Sequence, residues 1–260
     1  MNELFALEGR VAIVTGGDGR LGIEHARAMS NAGAKVYSFD IARSPALEPY
    51  ATHIDVDVTD PESLRTGVAQ VVEEAGRIDI LVNNAVIDPP PPKEGEPGWE
   101  DYVEFPQAKW EKQIAVGLSG AQYATQAVAP IMIKQKKGSI INISSTTGIT
   151  ASNHSKYPKG RFKSPAYGTV KTALLGLTRA WAAYFSAVEA PDVRVNAVCF
   201  GAVNFKEITP ELLQKLKGRN MLGRAARPNE YHGAIVFLAS DASAFMTAQT
   251  LIMDAGQTAW

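Results

Sequence analysis

The sequence predicts an α/β fold, a Rossmann-like doubly wound parallel sheet of about seven strands with helices on both faces. Three observations support this prediction. Short β-branched apolar runs, typical of buried parallel strands, recur along the chain. Stretches with helical periodicity separate these runs. A glycine-rich turn joins the first run to the first helical stretch.

The first unit contains the apolar run 11–15, the glycine-rich turn 16–22, a helical stretch to about residue 33 and a second strand at 35–39, which ends in Asp40. A glycine turn that opens a helix lets backbone N–H groups approach a pyrophosphate, and the helix N-terminus favours the negative charge. An acid placed like Asp40 can hydrogen-bond an adenosine ribose hydroxyl. The unit predicts a dinucleotide site. The alternative is an ordinary glycine turn followed by a surface aspartate.

Strands and helices alternate along the rest of the chain. We predict strands at 53–58, 80–83, 138–143, 193–198 and 250–253, and helices at 61–75, 107–135, from 165 towards the 190s, and at 229–239. No repeat, low-complexity tract or long linker divides the sequence. We therefore expect residues 1–260 to form a single domain.

Composition narrows the function classes. A chain of 260 residues with 45% hydrophobic residues can bury one substantial core, and its net charge of -1 offers no basic face for nucleic acid. Cys199 is the only cysteine, which excludes an internal disulfide and a cysteine-based metal cluster. The four histidines show no ligand spacing, so we expect no metal site. No signal peptide or membrane span is recognisable, so we expect a cytoplasmic protein that acts on small molecules.

Tyr167 and Lys171 are separated by four residues on the predicted helix that follows Pro165, so they share one helix face. A phenol normally ionises near pH ~10, and a nearby ammonium lowers that pKa by roughly one to three units. Such a tyrosine can exchange a proton with an alcohol near neutral pH. The spacing also arises by chance, so the hypothesis depends on the surrounding sequence.

Several stretches occur in one order along the chain. They are Thr15–Gly22, Asp57–Val58, Asn83–Ala85, Asn142–Ser145, Tyr167 with Lys171, Arg194–Ala197 and Met253–Gly256. Together they resemble the short-chain dehydrogenase/reductase family over nearly the whole chain, in its single-domain type but with an atypical glycine turn. The resemblance implies a Rossmann domain, a nicotinamide cofactor and hydride exchange between its ring and a carbonyl or alcohol.

The resemblance also implies roles for individual residues. Tyr167 would be the general acid/base, Lys171 would hold the nicotinamide ribose and lower the pKa of the tyrosine, and Ser145 would hydrogen-bond the substrate oxygen. For Ser145 the alternative is a strand-end hydroxyl that satisfies local backbone. The expected cofactor-binding residues are Gly16, Asp18, Gly19, Arg20, Leu21, Gly22, Asp40, Ile41, Asp57, Val58, Asn84, Ala85, Tyr167, Lys171, Gly201 and Val203. Asp40 would repel a 2′-phosphate and so favours NAD, while Arg20 and Arg43 leave NADP open.

Four positions depart from the family pattern. Arg20 stands where a glycine is usual, Val86 replaces a glycine and Phe200 replaces a proline. Gly117 stands where an asparagine normally helps a bent helix hold a proton-relay water. Glycine still permits bent backbone geometry there. These departures motivate the alternative of a dinucleotide-binding sensor or assembly partner that has lost efficient turnover.

Two insertions follow strand ends and are expected to form the mouth of the substrate pocket. The insertion at 86–105 is rich in proline and acids, and the insertion at 151–164 carries Lys156, Lys159, Arg161 and Lys163 without an acid. The segment 203–220 adds Lys206, Lys215, Lys217 and Arg219. The basic side chains either recognise an anionic substrate such as a sugar acid or phosphorylated sugar, or pair with the acidic insertion or face water.

We therefore predict an NAD(P)-dependent oxidoreductase that prefers NAD and acts on the hydroxyl or keto group of a polar, sugar-like molecule. Oxidation of a lipid or steroid alcohol is a third possibility, which the charged insertions disfavour. Apolar residues at 184–188 and from 250 to Trp260 exceed what a lone domain needs, so we expect a homodimer or homotetramer; a monomer with a frayed Trp260 is the alternative.

Overall fold

The computed structural model describes residues 3–88, 102–156, 162–205 and 220–259, with residues 210, 214 and 218 between the last two ranges. Its seven strands form one parallel sheet in the order β3-β2-β1-β4-β5-β6-β7. The strands are β1 Val11–Thr15, β2 Lys35–Asp40, β3 Thr52–Asp55, β4 Ile80–Asn83, β5 Gly138–Ser145, β6 Val193–Phe200 and β7 Thr250–Met253. This topology confirms the predicted fold class.

Helices cover both faces of the sheet. They are α1 Arg20–Asn31, α2 Pro61–Ala75, α3 Gln107–Ile114, α4 Gly120–Gln135, α5 Pro165–Ala187 and α6 His232–Ala239. Alternate side chains of each strand point to opposite faces. Val11 and Ile13 of β1 pack in the core that α2, α4 and α5 share, whereas Ala12 and Val14 pack in the core that α1 and α6 share.

The predicted helix at 107–135 is interrupted by a π-helical turn at Ala115–Ser119. Gly117 lies buried inside this turn. A Cβ atom on Gly117 would lie 2.7 Å from Cγ1 of Val170, which belongs to α5. The wider π turn therefore passes against α5 at a point where only a glycine fits. The contact on α5 is at Val170, three residues after Tyr167.

Strand β3 is shorter than predicted, since it ends at Asp55 and not at residue 58. The carboxylate of Asp57 accepts hydrogen bonds from the backbone N–H and the hydroxyl of Thr59, at 2.8 and 2.7 Å. This local turn leads the chain away from the sheet towards α2.

Parts of both insertions lie outside the described residues. These include most of the acidic insertion, residues 89–101, and Lys159 and Arg161 of the basic insertion. Lys206, Lys215, Lys217, Arg219 and Trp260 also lie outside them. The described parts of the insertions meet through three aromatic rings. Tyr102 lies 5.2 Å from His154 and 6.0 Å from Phe162, measured between ring centroids.

Candidate functional site

The candidate site lies at the carboxyl ends of the parallel strands. The order of the strands reverses direction between β1 and β4, because β2 and β3 extend to one side and β5 to β7 to the other. In open α/β sheets, ligands bind in the crevice at such a switch point. The glycine turn after β1 and the residues after β4 line this crevice.

Glycine is required at several positions of the turn, including Gly16 and Gly22. Gly16 has a φ of +62°, and a Cβ atom on it would lie 2.8 Å from the Cα of Ala85. A Cβ atom on Gly22 would lie 2.2 Å from the carbonyl oxygen of Gly16. Helix α1 begins immediately after Gly19, which caps it without a side-chain hydrogen bond. Its first N–H groups can therefore bind an anion, as a pyrophosphate site requires.

Thr15 ties the glycine turn to the end of β4. Its hydroxyl oxygen accepts hydrogen bonds from the backbone N–H groups of Asn84 and Ala85, at 3.1 and 3.2 Å. The side-chain amide of Asn84 donates to the carbonyl oxygens of Thr15 and Gly16, at 3.1 and 2.9 Å. Asn84 and Ala85, both predicted cofactor residues, thus lie against the turn. Thr15 was recognised only as part of the motif.

Two acids lie near each other at this edge, Asp18 within the glycine turn and Asp40 at the end of β2. The Asp40 carboxylate accepts hydrogen bonds from the N–H groups of Asp18 and Ala42, both at 3.1 Å. Burial raises the pKa of Asp40, and these backbone hydrogen bonds lower it in part. Asp40 thus lies where the chain leaves β2, beside the glycine turn.

The carboxylate of Asp18 is turned into the protein. It accepts hydrogen bonds from the hydroxyl of Ser38 at 2.6 Å and from the N–H of Ser44 at 2.7 Å. Nδ1 of His53 lies 2.9 Å from the same carboxylate. Asp18 therefore holds the loop after β2, and Asp40 remains the more accessible acid.

The other predicted cofactor residues lie around the same edge of the sheet. Ile41 is 73% exposed beside Asp40. Val58 is buried and packs against Gly120, where an added Cβ atom would lie 2.9 Å from Cγ2 of Val58. The N–H of Gly201 donates to the carbonyl oxygen of Met253 at 3.0 Å. Leu21 is half-buried in the first turn of α1, and Val203 forms an isolated parallel bridge with Ala226.

Arg20, which stands where the family pattern has a glycine, is the first residue of α1. Its guanidinium carbon lies 5.0 Å from the centroid of the Phe205 ring. A cation over an aromatic face is attracted by the ring quadrupole. The contact joins the glycine turn to the segment that follows β6.

Lys171 lies at the centre of the proposed proton-transfer site and is buried. Its ammonium donates a hydrogen bond to the carbonyl oxygen of Ile143 at 2.6 Å. The hydroxyl of Ser144 donates to the carbonyl oxygen of Lys171 at 2.7 Å. Burial lowers the pKa of Lys171 to about 8. These bonds bring the first turns of α5 against the end of β5, where Ser145 lies.

The Ser145 hydroxyl accepts a 3.3 Å hydrogen bond from the backbone N–H of Thr147. This bond satisfies local backbone, as the alternative for Ser145 expects, and leaves the hydroxyl proton of Ser145 able to donate. Behind the site, the side-chain amide of Asn83 donates to Asn142 at 2.8 Å, and Asn142 donates to the hydroxyl of Thr178 at 2.8 Å. This buried chain of hydrogen bonds fixes β4, β5 and α5 relative to one another.

Two ammonium groups lie beside Tyr167. Nζ of Lys171 is 5.7 Å from the centroid of the Tyr167 ring, and Nζ of Lys163 is closer, at 4.0 Å. Lys163 forms an ion pair with Asp88. The sequence predicted Lys163 only as part of the basic insertion and gave no signal that Lys163 and Asp88 are neighbours of Tyr167. Their pairing follows the second alternative for the insertions, in which acidic and basic side chains neutralise each other.

Phe200, another departure from the family pattern, stacks on Tyr231 with ring centroids 4.0 Å apart. Its ring centroid is 5.8 Å from that of His25, on α1. His25 is fully buried, and its two ring nitrogens have no hydrogen-bond partner among the described residues. Burial lowers the pKa of His25 to about 3, so the ring is neutral.

The chain has a doubly wound parallel sheet with a glycine turn at its switch point and an acid after the second strand. It also has a lysine beside a tyrosine. Together these features define a dinucleotide-binding oxidoreductase. The residues fit a dinucleotide, because the glycine turn packs closely against Ala85 and opens α1 directly after Gly19, where the first N–H groups of the helix can bind a pyrophosphate.

Known proteins with similar sequences and structures include reductases and dehydrogenases. A family model described as enoyl-(acyl carrier protein) reductase matches residues 19–258. The chain is 32% identical to a 3-oxoacyl-(acyl-carrier-protein) reductase of Thermotoga maritima, covering 96% of this chain and 98% of that protein. It is 32% identical to a galactitol 2-dehydrogenase (L-tagatose-forming) of Cereibacter sphaeroides, covering 99% and 98%. A crystal structure of a gluconate 5-dehydrogenase from Burkholderia cenocepacia, in complex with NADP and tartrate, superposes with a TM-score of 0.84 at 29% identity, covering 99% and 98%.

The chain belongs to the short-chain dehydrogenase/reductase family and is an NAD(P)-dependent oxidoreductase. This confirms the predicted family and enzyme class. In the described ranges, no helix has the length and apolar character needed to cross a membrane. Within the same ranges, no three His, Cys, Asp or Glu side chains are grouped to hold a metal ion. The roles of individual residues and the cytoplasmic location stay predictions.

Proposed function

We propose that this enzyme interconverts a secondary alcohol and a ketone on a polar, sugar-like molecule and prefers NAD. One observation carries the proposal. The buried ammonium of Lys171 is held by the carbonyl oxygen of Ile143, two residues before Ser145, and lies 5.7 Å from the ring of Tyr167. The ammonium and the phenol thus lie together at the start of α5, next to the end of β5 that carries Ser145.

In the proposed reaction, Tyr167 exchanges the proton of the substrate hydroxyl, Ser145 hydrogen-bonds the same substrate oxygen, and Lys171 binds the nicotinamide ribose and stabilises the phenolate. When bound, the nicotinamide ring supplies the hydride acceptor for oxidation and the hydride donor for reduction. A lysine with a pKa of about 8 is largely charged at neutral pH. It can therefore favour an ionised phenol while remaining close to its own titration.

The preference for NAD rests on Asp40. Its carboxylate is fixed by two backbone N–H groups, from Asp18 and Ala42, beside the glycine turn. A fixed carboxylate can accept hydrogen bonds from ribose hydroxyls and repels a 2′-phosphate. Arg43, which could favour NADP, lies 3.6 Å from the carboxylate of Glu48. The gluconate 5-dehydrogenase complex contains NADP, so both nucleotides are compared in the test below.

The proposed substrate class rests on two kinds of support. The relatives include a galactitol 2-dehydrogenase and a gluconate 5-dehydrogenase. In this chain, the charged pair of Lys163 and Asp88 borders Tyr167, and such a border suits a hydroxylated substrate better than a lipid. The relative from Thermotoga is named as a 3-oxoacyl reductase, and a β-keto thioester is therefore included as a second substrate class.

The test is a turnover assay that follows the absorbance of the reduced nicotinamide. Galactitol and gluconate are tested with NAD and NADP, and the corresponding keto sugars and an acetoacetyl thioester with NADH and NADPH, alongside a titration of dinucleotide binding. We expect turnover of at least one polyol, aldonate or keto sugar, with higher kcat/KM for NAD. Turnover restricted to the thioester would refute the substrate class. Dinucleotide binding without turnover of any compound would favour a sensor or assembly partner.

We also propose a homo-oligomer with two-fold symmetry. Tyr184 and Val188, at the end of α5, and Ile252, on edge strand β7, are exposed apolar residues. Phe245 is fully exposed nearby in the sequence. Apolar surface of this kind on a helix end and a sheet edge is typical of interfaces between identical chains. Light scattering after gel filtration should give a dimer or tetramer mass, and a monomer mass would contradict the proposal.

A further inference from the structure

Lys163 and Asp88 form an ion pair that joins the two insertions. Asp88 follows β4, and Lys163 lies just before α5. The lysine side chain is 14% exposed and the aspartate side chain 38% exposed, so Lys163 is the more buried partner. Its ammonium lies over the Tyr167 ring, 4.0 Å from the centroid, whereas the Lys171 ammonium lies 5.7 Å away.

Four groups interact electrostatically with Lys171. Asp88 raises the pKa of Lys171, and Lys163 lowers it. The other two are Cys199, on β6, and His25, on α1. Burial raises the pKa of the Cys199 thiol and lowers the pKa of His25, so both are neutral at physiological pH. Among these groups, only Lys163 and Asp88 add a full charge near the site.

We propose that Lys163 and Asp88 are positioning residues that set the charge balance at Tyr167 and Lys171 through their opposite charges. This inference rests on the proposed function, in which those two residues carry the proton transfer. Neither Lys163 nor Asp88 belongs to the motifs that define the family in this chain. The pair would let the insertions tune the pH range of the reaction.

The sign of the effect separates this role from simple loop anchoring. Lys163→Met removes a positive charge and leaves Asp88 uncompensated, which favours the protonated phenol and ammonium. Asp88→Asn removes the negative charge and leaves Lys163 uncompensated, which favours the ionised phenol and the neutral amine. The double variant restores the net charge. Loss of an anchor would instead affect both single variants in the same way.

The experiment measures the pH dependence of kcat/KM for alcohol oxidation in the wild type, the two single variants and the double variant. One limb of the pH profile reports the catalytic base. We expect the apparent pKa of that limb to rise by about 0.5 to 1 unit in Lys163→Met and to fall by a similar amount in Asp88→Asn. The double variant should return to within about 0.3 unit of the wild type. Asp88→Asn keeps the side-chain shape, so its shift reports the loss of charge without a change in side-chain volume.

A second readout needs no substrate. Ultraviolet titration of tyrosinate, taken as the difference between each protein and its Tyr167→Phe counterpart, should show the same opposite shifts. It tests the inference even where no substrate is turned over. Phe162→Leu, which loosens the aromatic contact between the insertions without changing charge, serves as the matched control and should leave both titrations unshifted. Shifts in the same direction for both single variants, or no shift in either, would overturn the inference.

Discussion

Replacing Gly117 by asparagine, the residue that the family pattern has at this position, should damage the packing of α5. A Cβ atom there would lie 2.7 Å from Cγ1 of Val170, whereas carbon atoms in ordinary contact are about 3.5–4.0 Å apart. The overlap of about 1 Å falls on a buried side chain next to Lys171, and overpacking of this kind costs about 1–3 kcal/mol. The small gain in helix propensity of asparagine over glycine offsets only a few tenths of a kcal/mol.

The displacement of α5 should also reach the site. Val170 lies between Tyr167 and Lys171 in the sequence, and a misplacement of about 1 Å in a catalytic group can lower the rate about 100-fold. We therefore expect Gly117→Asn to lower both the free energy of unfolding and kcat/KM. Denaturant unfolding and steady-state kinetics measure the two effects.

The matched second change is Val170→Ala, which removes the two methyl groups that meet the new side chain. Alone it should cost roughly 1.5–3 kcal/mol through lost burial and a cavity. In combination, the two changes should be less harmful than their sum by about 1–2 kcal/mol, because the overlap is relieved. Additive losses in the double variant would refute the close approach of the π turn to α5. Full stability of Gly117→Asn alone would refute it as well.

Three further predictions concern the crevice and the core behind it. Gly16→Ala places a Cβ atom 2.8 Å from the Cα of Ala85, at a backbone φ of +62° that strains an alanine. The affinity for NAD, measured by calorimetry, should fall about tenfold or more, while the circular dichroism spectrum should be unchanged. Asp40→Ser removes the carboxylate that repels a 2′-phosphate, and the ratio of kcat/KM for NADP to that for NAD should rise at least about tenfold; an unchanged ratio would separate Asp40 from cofactor choice. The pKa of His25 is lowered to about 3 in the folded protein, so its contribution to stability is present above pH ~6.5 and is lost as the pH falls towards 3. His25→Leu should therefore remove roughly 2 kcal/mol of the stability loss between pH 7 and pH 5, measured by urea unfolding, and an unaltered acid limb would contradict the buried neutral ring.

The fold follows from the sequence because its signals are local and repeated. Apolar runs such as 11–15 and 80–83 are too short for helices, and helical periodicity separates them, which implies parallel strands with crossovers. The glycine turn requires a close approach that no other residue allows at Gly16 and Gly22. The π turn was not predicted, because it depends on how closely α5 passes Gly117, and that distance is not written in the segment 107–135.

The candidate site could also be predicted only in part. Tyr167 and Lys171 share one helix face because they are four residues apart, but only the surrounding motifs gave that spacing a predicted role. Lys163 and Asp88 belong to separate insertions, and which acid meets which base depends on the path of both loops through space. The sequence therefore left recognition of an anion and mutual pairing as open alternatives. The inward turn of the Asp18 carboxylate was likewise not predictable, because it depends on side chains from β2 and β3.

The Tyr167 hydroxyl is expected to transfer the proton, whereas dinucleotide affinity should depend little on that hydroxyl. The most direct test compares NADH binding and turnover in the wild type and Tyr167→Phe, with the best substrate found in the panel. We expect the variant to bind NADH within about threefold of the wild type and to lose about 100- to 10,000-fold in kcat. A Tyr167→Phe variant with a kcat close to the wild-type value would show that Tyr167 does not transfer the proton.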